Sequence, residues 1–142
     1  MQQALILARE AFASGEVPVG AIVTDSAGKI IGRGFNTREN TKNPVHHAEI
    51  IAIEEASKSV DDWRLDGCTL FVTLEPCPMC TGAIINSRIS QVVFGARDSN
   101  MGACGGVIDL FSENFGHKPK VFQGILESEC RVLMKSFFEE IR

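Results

Sequence analysis

Two short stretches of this sequence carry residue types that could do chemistry together. "HHAE" supplies His46, His47 and Glu49, and "PCPMC" supplies Cys77 and Cys80. Zn2+ accepts Cys sulfur and His nitrogen in tetrahedral geometry. His47, Cys77 and Cys80 make three ligands, and two thiolates with one neutral imidazole balance the charge of the metal. A fourth position left to water marks a catalytic zinc rather than a structural one. Residues two apart on a regular helix face different ways, so Glu49 is a poor fourth ligand beside His47. Around the first turn it can still reach a group held in front of the helix end. Its natural role there is to accept a proton from water and return it to a substrate.

Other uses of the same residues have to be weighed. A Cys-x-x-Cys pair can be a redox couple, but the upstream His-x-Glu fits that poorly. A closed structural zinc site could recruit Cys68, Cys104 or His46 as its fourth ligand. Such a site has no need of Glu49. His46 alone reads as a loop histidine, and Cys68, Cys104 and Cys130 read as small apolar residues.

The elements that must position these groups follow from the hydrophobic pattern. Ala4, Leu7, Ala8, Ala11 and Phe12 recur at helical spacing, and Gly15 ends that helix. "VGAIVTD" and "KIIGRGF" flank a turn at Ser26, Ala27 and Gly28 and read as an antiparallel hairpin. A polar loop from Asn36 to Pro44 leads to a second helix near Ala48 to Ser57. "CTLFVTL" is a strand, and Pro78 opens a third helix, since proline is tolerated in a first turn. "QVVFG" is a fourth strand. A glycine-rich loop through Gly102, Gly105 and Gly106 precedes a short helix near Val107 to Phe111. "KVFQG" is a fifth strand, and Leu126, Cys130, Leu133, Phe137 and Ile141 form the stripe of a last helix. The order predicts a mixed five-stranded sheet with helices on both faces, a three-layer α/β/α sandwich. Both chemical stretches open helices that follow strands, where sites in such sheets gather.

Composition sets the bounds. The chain has 142 residues, 44% of them apolar and 23% charged, which suits one globular domain spanning 1–142. No apolar run is long enough to cross a bilayer. Without a recognisable secretory signal, a cytoplasmic protein with reduced thiols and no membrane partner is expected. The net charge is −4, and residues 47–75 alone carry seven acids against two bases. No broad basic patch announces nucleic acid, so an RNA partner would be gripped through few phosphates, as a short single-stranded loop is.

His-x-Glu followed by Pro-Cys-x-x-Cys resembles the zinc deaminase signature. The blocks "EVPVGAI", "FN", "HAEI", "WRLDGCTLFVTLEPCPMCTGAI", "VVFGARD" and "GILESEC" extend the likeness along the chain. In that order they are similar to the bacterial tRNA-specific adenosine deaminases of the cytidine/deoxycytidylate deaminase superfamily. The resemblance implies a cytidine deaminase-like fold, one Zn2+ per subunit and a homodimer. It implies hydrolytic conversion of the wobble adenosine to inosine in a tRNA anticodon loop, that of an arginine tRNA. His47, Cys77 and Cys80 become the zinc ligands and Glu49 the proton shuttle. Asn36 and the backbone of Ala48 would read the flipped-out base. Asn114, His117, Lys118, Phe138 and Arg142 would touch the anticodon loop. Of the adjacent Phe137 and Phe138, at most one can face fully inward, which leaves the other to stack on a base. The chain departs from the family pattern at His46, where a small residue is usual, and at Gly116, where asparagine is.

Two further readings share these residues. A deaminase of a free base or nucleoside, guanine or cytosine, would use the same zinc, and the acidic charge suits it. A non-catalytic zinc subunit that only binds RNA or a partner would not need Glu49.

Overall fold

The computed structural model describes residues 1–141. Helix α1 (Gln2–Ala13) leads to strands β1 (Gly20–Thr24) and β2 (Ile30–Phe35). A one-turn helix α2 (Arg38–Thr41) precedes α3 (Ala48–Val60). Then come β3 (Thr69–Leu74), α4 (Pro78–Ser87), β4 (Gln91–Ala96), β5 (Lys120–Gln123) and α5 (Glu127–Glu140). The strands form one sheet in the order β2-β1-β3-β4-β5. β1 is antiparallel to both β2 and β3, whereas β3, β4 and β5 run parallel. Helices α1 and α5 cover one face, and α3 and α4 the other. This is the mixed three-layer arrangement expected from the sequence.

The hairpin turn is held locally: Asp25 Oδ1 accepts from the N–H groups of Ala27 and Lys29, each at 2.9 Å. The buried apolar residues fall into two cores. Val23, Leu70, Val72 and Phe94 pack toward α3 and α4, while Leu5, Ala96 and Cys130 pack between α1, α5 and the sheet.

A close backbone contact sets α3 on β2. Ala48, Ala52 and Ala56 recur every four residues, and all three are fully buried. They lie over Gly32 and Gly34 of β2. A Cβ on Gly34 would run into the backbone of Ala48 and Ala52, and one on Gly32 into that of Ala52 and Ala56. Small residues on both sides let the helix axis come close to the strand, and the N-terminus of α3 is thereby fixed in place.

Three local expectations are corrected. The segment Asn36 to Pro44 is not all loop, because α2 forms within it. The helix expected at Val107 to Phe111 is a single 3-10 turn at Leu110–Ser112, started by the Asp109 side chain, which accepts from Phe111 N–H. Val107 and Ile108 lie outside it and are exposed. The stripe of α5 buries Cys130 and Phe137, but Ile141 falls past the helix end and is exposed.

Gly34→Ala is expected to cost about 1–3 kcal/mol through overpacking and to lower zinc content, because α3 carries His47 at its N-cap. Denaturant unfolding and metal analysis of the purified variant check both.

Candidate active site

The strands run out toward two helix starts on the same face of the sheet. β3 continues through Glu75 and Pro76 to Cys77, the N-cap of α4. Pro78 takes the first helical position, and Cys80 stands in the first turn, fully buried. His47 is the N-cap of α3, in extended conformation, with Ala48 and Glu49 beginning the helix. Residues far apart in sequence therefore meet: His47 Nδ1 lies 3.6 Å from Cys77 Sγ and 3.6 Å from Cys80 Sγ. Among the described residues these three form the group of donors close enough to hold a metal ion.

The spacing tests the fit of zinc. Tetrahedral bonds of about 2.3 Å to sulfur and 2.0–2.1 Å to nitrogen separate the two ligand atoms by about 3.5–3.6 Å. The observed distances match, and the donor set is one that zinc prefers. Both sulfurs also sit at a helix N-terminus, where free N–H groups and the helix dipole favour thiolate.

The protein groups tune one another. The Cys77 thiol is lowered to about 4, by its hydrogen bond with Cys80 first and by His47 next, with burial opposing. The Cys80 thiol is driven far above the usual range by its bond with Cys77 and by burial. His47 is raised chiefly by its hydrogen bond to Cys77. Glu49, only 3% exposed, is pushed up to about 7 by burial. Its own backbone N–H and the nearby His47 oppose that rise, and its side chain lines the same cleft as His47 and Cys77.

A cleft of about 490 Å³ opens over this group. Asn36, Ala48, Glu49 and Cys77 line its inner end. The Asn36 side chain is held by two bonds: Nδ2 donates to Val17 O at 3.3 Å, and Oδ1 accepts from Arg38 N–H at 3.1 Å. One N–H and one lone pair remain for a ligand. Ala48 is the first residue of α3, so its N–H has no partner within the helix. Phe137 is buried edge-on against Phe12, and the neighbouring Phe138 is 42% exposed on the cleft wall. The pair divides between core and cleft as adjacent helix positions require.

Other expected contacts lie elsewhere. Asn114, His117 and Lys118 do not line this cleft. His117 Nε2 is 2.6 Å from the Ile89 carbonyl, beside the entry end of β4. The reason is topological: β5 runs parallel to β4, so the chain must return to the far end of the sheet before β5 begins. Arg142 is outside the described residues. The structure brings Arg38, Arg97 and Arg131 to the cleft. Arg97 lies within the "VVFGARD" block and Arg38 follows Asn36 closely, so both had a positional signal. Arg131 had none, since it sits on the exposed side of an amphipathic helix.

Comparison with known proteins agrees with this geometry. The model of the cytidine and deoxycytidylate deaminase zinc-binding region matches residues 1–96. A tRNA-specific adenosine deaminase of Bacillus subtilis is 46% identical over all of this chain and 88% of its own length. A solved tRNA:A34 deaminase, from work on A-to-I editing at the wobble position, superposes with a TM-score of 0.90. It is 38% identical, over 94% of this chain and 96% of that one. A guanine deaminase from Nitrosomonas europaea superposes with a TM-score of 0.84 at 26% identity, over 96% of this chain and 81% of that one. By the model match and the identity, the chain belongs to the cytidine and deoxycytidylate deaminase zinc-binding family.

Proposed function

We propose that this protein converts adenosine to inosine at the wobble position of a tRNA anticodon, as one zinc-dependent deaminase domain spanning 1–142. The observation that carries the reading is Glu49, buried and raised to about 7 beside a His-Cys-Cys zinc site at the inner end of a base-sized cleft. The likeness to tRNA adenosine deaminases supports the choice of substrate.

The reaction exchanges the C6 amino group of adenine for oxygen: water enters, ammonia leaves. Zinc held by His47, Cys77 and Cys80 supplies Lewis acidity and lowers the pKa of bound water to about 7. Glu49 moves the protons. Near neutral pH it can both accept one from the attacking water and give one to the departing nitrogen. Asn36 and the Ala48 N–H orient the base edge, and Phe138 offers a face for stacking. A loop nucleotide suits this cleft because little pairing is lost when it is extruded. As the family resemblance implies, the enzyme works as a homodimer in the cytoplasm, without a membrane partner. No helix among the described residues is long and apolar enough to cross a membrane.

The guanine deaminase likeness favours one alternative, deamination of a free purine base. Zinc-loaded protein offered an anticodon stem-loop, free bases and nucleosides decides. Inosine in the stem-loop supports the proposal, and ammonia from a free base alone replaces it. For a subunit that only binds RNA, a buried glutamate beside the zinc would be a cost without return.

Glu49→Gln is expected to lower turnover about 10²–10⁴-fold while zinc stays bound. Substantial activity in that variant would remove Glu49 from the mechanism. Phe138→Ala is expected to raise the KM for the stem-loop about 5–30-fold, the worth of about 1–2 kcal/mol of stacking, with zinc content unchanged. Zinc uptake at pH 7 should release about one proton or more, because Cys80 is held as a thiol until metal displaces its proton. Affinity therefore weakens as pH falls, which chelator competition across pH 6–8 would measure.

A further inference from the structure

Two buried glutamates take no part in the chemistry above. Glu16 is 1% exposed and Glu75 is 2% exposed. Neither has an ion-pair partner among the described residues. Each carboxylate is instead met by backbone N–H groups. Glu75 Oε1 accepts from Asp98 N–H at 3.0 Å, and its Oε2 accepts from Cys104 and Gly106 N–H at 2.9 and 2.8 Å. Glu16 Oε1 accepts from Glu39 N–H at 3.0 Å and its Oε2 from Asn40 N–H at 2.7 Å. These are the second and third residues of α2, whose N-cap Thr37 offers no side-chain bond.

The two loops so held are opposite walls of the cleft. Asn36 and Arg38 line it on the α2 side, and Asp98 to Met101 line it on the other. The second loop is shaped to receive its carboxylate: a Cβ at Gly102 or Gly106 would overlap Glu75 and the Asp98 carbonyl. We propose that Glu16 and Glu75 are positioning residues, a pair of buried carboxylates that clamp the two cleft walls and so set how tightly the substrate base is held. The proposal rests on the reading of this cleft as the base-binding site.

The chemistry demands an acid rather than an amide. Every carboxylate oxygen here meets only N–H donors. A glutamine has the same shape, but its NH2 would face a donor whichever way it is flipped, and a buried donor would lose its partner. The clamps act on the walls and not on the metal, so they govern binding more than turnover.

The test compares zinc-loaded parent, Glu16→Gln and Glu75→Gln. Glu16→Asp and Gly102→Ala are added in case a glutamine variant does not fold. Gly102→Ala pushes on the Glu75 carboxylate from the loop side. KM for the stem-loop is expected to rise about tenfold in each, with kcat within about threefold and zinc at one per chain. A lowered melting temperature with unchanged KM would make the glutamates mere supports of the fold and overturn the proposal. Loss of zinc together with kcat would overturn it too, by tying them to the metal centre. Amide hydrogen exchange gives a reading that does not need activity. The amides of Glu39, Asn40, Asp98, Cys104 and Gly106 should be protected in the parent and exchange faster in the variants, while α3 and α4 stay slow. If the parent deaminates nothing, the functional reading fails, and unchanged exchange at those amides would sink the clamp separately.

Discussion

Two sulfurs must each come within about 3.6 Å of one imidazole nitrogen, and the rest of the structure serves that requirement. None of the three can be placed by its own neighbours, because 30 residues separate His47 from Cys77. The sheet does the placing. β3 delivers Cys77 directly from its end, and Pro78 starts α4 so that Cys80 turns back toward it. α3 reaches the same place only because its alanines sit on the glycines of β2. A larger residue at either surface would lift the helix and carry His47 and Glu49 with it. The zinc site is thus a consequence of how closely a helix can lie on a strand.

Three glutamates are buried here, and their surroundings divide their work. Glu16 and Glu75 have both oxygens occupied by backbone N–H donors, so they hold structure. For Glu49 burial outweighs the hydrogen bond from its own backbone N–H and raises it to about 7. A carboxyl group that burial raises toward neutrality is ready to trade protons there. The same residue type thus serves as clamp or as shuttle, according to how many donors the backbone offers it.

What the sequence revealed, and what it hid, follows from the range of the forces involved. The strands, the long helices and the set His47, Glu49, Cys77 and Cys80 were legible, because periodicity and ligand spacing are written locally. α2 was not, since its polar sequence has no stripe and its N-terminus is held by Glu16 from α1's end. The extent of the 3-10 turn at Leu110–Ser112 depended on Asp109 rather than on the apolar run Val107–Ile108. The placement of Asn114, His117 and Lys118 depended on strand direction, which no single segment encodes. Arg131 reaches the cleft because α5 docks across β4, again a tertiary fact.

Charge shows the same separation between what a sum says and what a place does. An acidic chain is a poor match for a polyanion if its charge is averaged. The acids of residues 47–75 are not spread evenly over the molecule, however. Glu54 and Glu55 lie about halfway along α3, Asp61 and Asp62 lie at its far end, and a 13-residue helix is about 20 Å long. That is beyond the Debye length of about 8 Å at physiological salt. Asp62 is moreover engaged by Arg64, with which it pairs at 3.2 Å. At the cleft itself the exposed charges include Arg38, Arg97 and Arg131. A short RNA loop entering there would meet these guanidinium groups, of which Arg38 also pairs with Glu39 and Arg131 with Glu127, while the acidity of α3's far end is screened. A net charge of −4 is therefore compatible with an RNA substrate, provided that the RNA presents a loop to one opening and does not lie along the surface.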